Sequence, residues 1–319
     1  PVLAASATFS ADENQTAIAS IIATDADGDT LTYSVTGTEL TLSTSGVLSF
    51  TSAPDYEETT SYTATVSVTD GLTSKDQSIT VNVNNLNDNS PVFTSETTFS
   101  AAENQTAIGT AAATDADGDP LTFSISGTEL AITSAGVLSF ASAPDYETKT
   151  SYTATITSND GLNDVTQDIV VSITDIDDVA PSITSGASFS SDENQTAIGT
   201  VTATDVDTLD TSSSFTFAVS GTELAIDSDG VLTFASAPDY ETKTSYTATV
   251  TASDGASNSS TQDITISIID IDDVAPSITS SASFSADENQ TAIGTITVTD
   301  VDTLDTSSSF TFAVSGTEL

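Results

Sequence analysis

The sequence has no cysteine, histidine, methionine, tryptophan or arginine. Without cysteine there are no disulfides, zinc–thiolate sites, iron–sulfur clusters or thiol nucleophiles. Without histidine there is no Ser-His-Asp triad and no imidazole metal ligand. Three lysines face 47 carboxylates, a net charge of −44 over 319 residues. So negative a chain repels nucleic-acid phosphates and anionic lipid surfaces. No apolar run reaches the roughly 18 residues of a membrane-spanning helix, so direct membrane insertion by this segment is excluded. There is no initiating methionine or signal segment, and the chain from Pro1 to Leu319 reads as part of something longer. What is present is not a disordered acidic tail, because hydrophobic residues make up 37% of the chain and are regularly spaced.

An internal repeat organises the chain. The segment ENQTAI begins at Glu13, Glu103, Glu193 and Glu288, at spacings of 90, 90 and 95 residues. Asp-x-Asp follows at Asp25/Asp27, Asp115/Asp117, Asp205/Asp207 and Asp300/Asp302. PDYE recurs at Pro54, Pro144 and Pro238, and Asp-Gly at Asp70, Asp160 and Asp254. The extra residues of the third repeat lengthen the segment after Asp207 and the turn after Asp254, as loops tolerate.

Within each repeat the pattern is β. In the second, Leu121, Phe123 and Ile125 alternate with hydroxyl residues, as do Tyr152, Ala154 and Ile156, and Ile169, Val171 and Ile173 recur at every second position near the end. Period two means one buried and one wet face. Turn residues at 117–120, 126–127, 135–136, 143–145 and 159–161 separate the runs. Strands are expected near 98–101, 107–114, 121–126, 129–133, 137–140, 151–158 and 166–174. The fold class is therefore all-β: tandem seven-stranded Greek-key β-sandwiches of immunoglobulin-like architecture. The expected domains are 1–88, 89–178, 179–273 and a truncated fourth over 274–319. Proline-containing linkers at 84–93, 174–183 and 269–278 join them.

Three kinds of carboxylate pair recur at i, i+2, as in Asp115/Asp117, Asp145/Glu147 and Asp175/Asp177. In an extended chain i and i+2 share a side. Like charges held so close are unfavourable unless a cation intervenes or a proton is kept. Recurrence every 90-odd residues implies cation binding. Oxygen-only ligands select a hard cation, and calcium fits better than magnesium, which keeps its waters.

At these residues the chain resembles cadherin repeats, in the form found in large bacterial surface proteins. The family pattern is Glu-Asn, Asp-x-Asp, an Asp-Arg-Glu-like tripeptide, a late Asp and a linker Asp-x-Asn-Asp-Asn-x-Pro. Here it reads Glu103-Asn104, Asp115-Ala116-Asp117, Asp145-Tyr146-Glu147 and Asp160, with linkers NLNDNSP at 85–91 and DIDDVAP at 175–181 and 270–276. The resemblance covers the whole chain. It implies several calcium ions at each junction, held by both neighbouring repeats and the linker. For the first junction it implies Glu13, Asp55 and Glu57, the linker residues Asn85, Asn87, Asp88 and Asn89, and Asp115, Asp117 and Asp160. For the second it implies Glu103, Asp145, Glu147, Asp175, Asp177, Asp178, Asp205, Asp207 and Asp254. For the third it implies Glu193, Asp239, Glu241, Asp270, Asp272, Asp273, Asp300 and Asp302, with a last ligand beyond Leu319. Asp25, Asp27 and Asp70 would face a linker before Pro1. Asn85 stands where the family has Asp, and Val179 and Val274 where it has Asn.

The function implied is an array in which junction calcium rigidifies an extended rod of a cell-surface or secreted protein. Its partners are calcium and neighbouring repeats, with another surface protein or a glycan as a further partner. Direct homophilic or cell–cell adhesion is one alternative, although no Trp near a repeat start supports strand exchange. A carbohydrate-binding accessory array is another, with aromatics at only 6%. Other readings explain less. A halophilic solubility surface accounts for the charge but not its placement. An EF-hand lacks its sixth-position Gly and its twelfth-position Glu, which is Thr36 counted from Asp25. Tyr56, Tyr146 and Tyr240 read as packing residues, and the Asn of each NQT triplet as structural. Enzymatic use of the carboxylates fits neither a glycosidase pair nor an aspartic-protease motif, so the chain reads as a non-enzyme.

Overall fold

The computed structural model describes residues 1–4, 6–207, 215–302 and 310–316, which contain strands and no α-helix. Among the described residues, repeat 1 has nine strands. They are β1 (Val2–Leu3), β2 (Thr8–Asp12), β3 (Ala17–Ser20), β4 (Ala23–Thr24), β5 (Thr32–Val35), β6 (Leu40–Leu42), β7 (Val47–Phe50), β8 (Ser61–Thr69) and β9 (Ser74–Asn84). A four-stranded sheet runs β2-β9-β8-β5 and a three-stranded sheet runs β3-β7-β6. Strand β2 is parallel to β9, while the other neighbours are antiparallel. The short pair β1–β4 closes one end.

Repeat 2 follows the same order with β10 (Val92–Phe93), β11 (Thr98–Ala102), β12 (Ala107–Thr110), β13 (Ala113–Thr114), β14 (Thr122–Ile125), β15 (Leu130–Ile132), β16 (Val137–Phe140), β17 (Ser151–Asn159) and β18 (Asp164–Thr174). Repeat 3 runs in the same way from Ser182–Ile183 to Ser259–Ile269. Beyond it the described strands are Ser277–Ile278 and Val298–Thr299, paired antiparallel. By contact density the chain divides into two units, Pro1–Thr174 and Asp175–Leu319.

The alternation read from sequence is the burial pattern observed. In β17 and β18, Ile156, Ile169, Val171 and Ile173 point inward with Leu130, Leu138 and Phe140 of the facing sheet. Each such side chain contributes about 1.5–3 kcal/mol by leaving water. Two equivalent cores form in the other repeats, around Leu48, Val66 and Val81 and around Leu232, Val250 and Ile266. Tyr56, Tyr146 and Tyr240 pack against these cores.

Two strand expectations differ. The run 107–114 is broken into β12 and β13, with a register shift between Ala107 and Gly109. At the break Ala111 N–H donates to the Gly136 carbonyl (2.8 Å), and a Cβ on Gly136 (φ +86°) would lie 2.3 Å from the Ala111 oxygen. The main chain crosses there so closely that only glycine fits. The freed end, β13, pairs instead with β10, a strand too short for periodicity to reveal. Strand β18 also starts two residues earlier than expected, at Asp164. The lengthened segment after Asp207 (208–214) lies outside the described residues.

Candidate metal centre

At the end of β2 the chain turns through Asn14, whose φ of 58° is the left-handed conformation that Asn tolerates better than most residues. That turn drives the preceding Glu13 inward, where only 2% of it is exposed. Glu13 Oε2 accepts the Tyr56 N–H (2.7 Å) and Oε1 accepts the Leu86 N–H (2.8 Å). A buried carboxylate is tolerable when charge-assisted donors satisfy it. Glu13 therefore ties the PDYE turn and the linker to one sandwich. Asp55 Oδ1 accepts the Glu57 N–H (2.9 Å), setting that turn. Carboxylate oxygens of Glu13, Asp55 and Glu57 lie within 4.8 Å of one another.

The linker docks on repeat 2 through Asp117. Its Oδ2 accepts the backbone N–H groups of Asp88 (3.0 Å) and Asn89 (2.8 Å), and its Oδ1 accepts the Asn89 side-chain amide (2.8 Å). Asn85 donates to the Asp117 carbonyl (2.7 Å), and Asn87 to the Asp160 carbonyl (3.1 Å). Asp160 Oδ1 accepts the Leu162 and Asn163 N–H groups (2.7 and 2.6 Å), and its Oδ2 the Asn163 side-chain amide (3.1 Å). The Asp115 loop folds onto its own carboxylate, which accepts the Asp117 N–H (3.0 Å). Glu57, Asp88 and Asp117 form a second close group, and Asp115, Asp117 and Asp119 a third. All ten residues expected at the first junction thus lie in these linked groups or are hydrogen-bonded to them.

This crowding shifts ionisation in both directions. Burial pushes the Glu57 carboxyl above its ordinary value, and the Glu13 and Asp117 charges add to it. Burial likewise raises Asp119, with the Asp115, Asp117 and Asp160 charges. Burial acts upward on Asp117 too, but the Asn89 and Asp88 donors outweigh it and hold Asp117 low. Asp160 is held low against burial by Asn163 and Leu162.

Glu103 Oε2 accepts the Tyr146 N–H (2.8 Å) and Asp145 Oδ1 the Thr148 N–H (3.1 Å), with Glu147 in the same turn. Unit 2 reuses the same local devices. Glu193 accepts the Tyr240 and Ile271 N–H groups (2.9 and 2.8 Å). Asp239 Oδ1 accepts the Thr242 N–H (3.1 Å). Burial raises Glu241, helped by the Glu193, Asp302 and Asp270 charges. Asp207 Oδ2 accepts the Asp178 and Val179 N–H groups (3.1 and 2.8 Å), and Asp302 Oδ2 those of Asp273 and Val274 (3.1 and 3.0 Å). Burial raises Asp177, with the Asp254 and Asp207 charges. Asp175, Asp270 and Asp272 lie in these two linkers.

Among the described residues, several buried carboxylate oxygens accept no hydrogen bond: Asp115 Oδ2, Asp205 Oδ2, Asp207 Oδ1, Asp254 Oδ2, Asp300 Oδ2 and Asp302 Oδ1. Leaving a charged oxygen so placed is costly. At the start of the chain Asp25, Asp27 and Asp29 form another close group, with the Pro1 ammonium 3.2 Å from Asp25 and 3.8 Å from Asp70. The Thr73 and Leu72 N–H groups lower Asp70 to about 2.

Sequence reasoning missed Asp29 and Asp119, the third carboxylates of DADGD, although a further i+2 step pointed to them. It also missed Asn163 and Asn258, amide donors just past the Asp-Gly turns. Asn14 and Asn194, read as structural, donate to the linker carboxylates of Asp88 and Asp273.

Comparison with known proteins agrees with this architecture. Residues 187–269 match the family model described as Cadherin domain. The sandwich fold of the repeats is cadherin-like. Residues 1–84 match the model described as Bacterial Ig domain. Among curated relatives, human Cadherin EGF LAG seven-pass G-type receptor 2 is 30% identical over 220 residues, 62% of this chain and 8% of that protein. Mouse Cadherin EGF LAG seven-pass G-type receptor 1 is 28% identical over 256 residues, 73% of this chain and 8% of that protein. The chain thus spans less than a tenth of the curated relatives it matches. Among solved structures, mouse cadherin-23 EC22-24 has a TM-score of 0.61 at 24% identity, covering 84% of this chain and 97% of that one. Mouse protocadherin-24 EC1-3 has a TM-score of 0.63 at 21% identity, covering 83% and 98%. These cadherin-like relatives are animal proteins. No helix among the described residues is long and apolar enough to cross a membrane.

Proposed function

We propose that these cadherin-like repeats form a calcium-binding array of an extracellular or cell-surface protein. Calcium at the linkers stiffens the connection between successive domains, so that the array spaces or presents a binding element. The domains in this reading are 1–88, 89–178 and 179–273, followed by the start of a fourth. The parent belongs with large surface proteins of the bacterial kind, to which the Bacterial Ig match lends support.

The observation that carries the proposal is the set of buried carboxylate oxygens without hydrogen-bond donors. They recur at the same motif positions in successive repeats. A cation is the partner they lack. The available donors are oxygens alone, which suits a hard cation, and their number suits calcium rather than magnesium. The residues that would hold the ions are the three sets given by the resemblance, joined by Asp119 beside Asp115 and Asp117. Bound calcium supplies the positive charge that offsets the clustered carboxylates. The chain's own contribution is positional: Glu13 and Glu193 fix the linker on one side, and Asp117, Asp207 and Asp302 fix it on the other.

Thermal unfolding in chelator, calcium and magnesium tests this. A ligand that binds only the native state raises the melting temperature with its concentration. Calcium is expected to produce a large rise and magnesium a small one. Equal melting curves in all three conditions would overturn the proposal.

A further inference from the structure

The three linkers differ in one chemical respect that the alignment of their motifs isolates. Asp117, Asp207 and Asp302 are equivalent, and each uses Oδ2 to hold two linker N–H groups. Their Oδ1 atoms have different fates. Asp117 Oδ1 accepts the Asn89 amide at 2.8 Å. Val179 and Val274 occupy the position of Asn89, and there Oδ1 of Asp207 and Oδ1 of Asp302 are buried without a donor. Asp207 and Asp302 are each only 2% exposed.

A second position shows the same contrast. Asp160 Oδ2 accepts the Asn163 side-chain amide (3.1 Å). In repeat 3 the turn is one residue longer, and Asn258 reaches Asp177 instead (3.2 Å to its carbonyl). Asp254 Oδ2 is left buried without a donor. Asn85 and Asn87 also place neutral donors where the later linkers carry Asp175 and Asp177, or Asp270 and Asp272.

We propose that the linkers are of two classes. The first, 85–91, is latched to repeat 2 by asparagine amides and stays docked when calcium is withdrawn. The other two, 175–181 and 270–276, depend on a cation for docking on the repeat that follows, because Oδ1 of Asp207 and of Asp302, and Oδ2 of Asp254, are buried there with no donor among the described residues. Calcium withdrawal therefore releases the array at selected linkers rather than uniformly. This rests on the calcium reading above.

Amide hydrogen exchange on the full chain, resolved at residues 88–89, 178–179 and 273–274, reads the latch directly. In calcium all three pairs are expected to be protected. In excess chelator the pairs at 178–179 and 273–274 should exchange at least about tenfold faster, the value of one hydrogen bond to a charged group, while 88–89 stays nearly unchanged. Asn89→Val should transfer the chelator sensitivity to 88–89, and Val274→Asn should remove it at 273–274. In calcium Asn89→Val should keep the parent's protection at 178–179 and 273–274, which separates loss of the latch from loss of fold. Equal loss of protection at all three linkers in chelator would overturn the two-class proposal and leave the calcium reading intact. Indifference to calcium at all three would overturn the calcium reading itself.

Discussion

Removing Glu13 tests how a single buried carboxylate joins a linker to a sandwich. Glu13→Ala deletes two charge-assisted acceptors and leaves the Tyr56 and Leu86 N–H groups without them. Hydrogen bonds to charged groups are worth about 1.5–3 kcal/mol each, so the gross loss is about 3–6 kcal/mol. Relief of repulsion with the neighbouring Glu57 carboxylate offsets part of this. A net destabilisation of repeat 1 by about 3 kcal/mol in chelator follows. Glu13→Gln keeps the shape and one acceptor, but turns a donor toward the other N–H, and should cost about half as much. A chain of several domains does not unfold in two states, so a global melt does not isolate the change in repeat 1. Amide exchange at increasing urea, read separately in peptides of repeats 1 and 3, gives each repeat its own opening free energy. Repeat 1 should weaken in the order Ala, then Gln, then parent, with repeat 3 unchanged. Loss below about 0.5 kcal/mol, the range of an ordinary surface substitution, would refute the clamp.

Other outcomes follow from the same geometry. Gly136→Ala should destabilise repeat 2 by well over 1 kcal/mol in urea titration, since its Cβ would strike the Ala111 carbonyl at positive φ. Leu138→Ala, at a fully packed position, should cost about 2–5 kcal/mol in the same titration. For pH, Glu57, Asp119, Asp177 and Glu241 have raised values when folded, so the native state binds their protons more tightly than the unfolded chain. Stability in chelator should therefore rise as pH falls from neutral toward the ordinary carboxylate range, then fall at lower pH as the lowered Asp70, Asp117 and Asp160 protonate. In calcium, where protons compete with the ion, stability should only fall. Urea midpoints across the two pH series check both signs.

Much of this was legible in the sequence because each legible feature has a local cause. Alternation along 151–158 follows from the period of a strand with one wet face, and β17 occupies Ser151–Asn159. The acidic motifs were legible because their spacing recurs. The break at Ala111 was not, because it is imposed by a chain crossing with Gly136 that lies far along the sequence. The amide donors were not legible for a related reason. Asn163 and Asn258 look like ordinary turn residues until folding sets them against Asp160 and Asp177. A carboxylate announces a charge in sequence, whereas the partner that satisfies it is chosen by tertiary structure.

The central claim is that calcium stiffens the linkers between domains. Small-angle X-ray scattering of the whole chain, in millimolar calcium and then in excess chelator, tests it most directly. The account predicts a narrow distribution of dimensions in calcium that broadens in chelator and narrows again when calcium is restored. Identical scattering in the two conditions would contradict it.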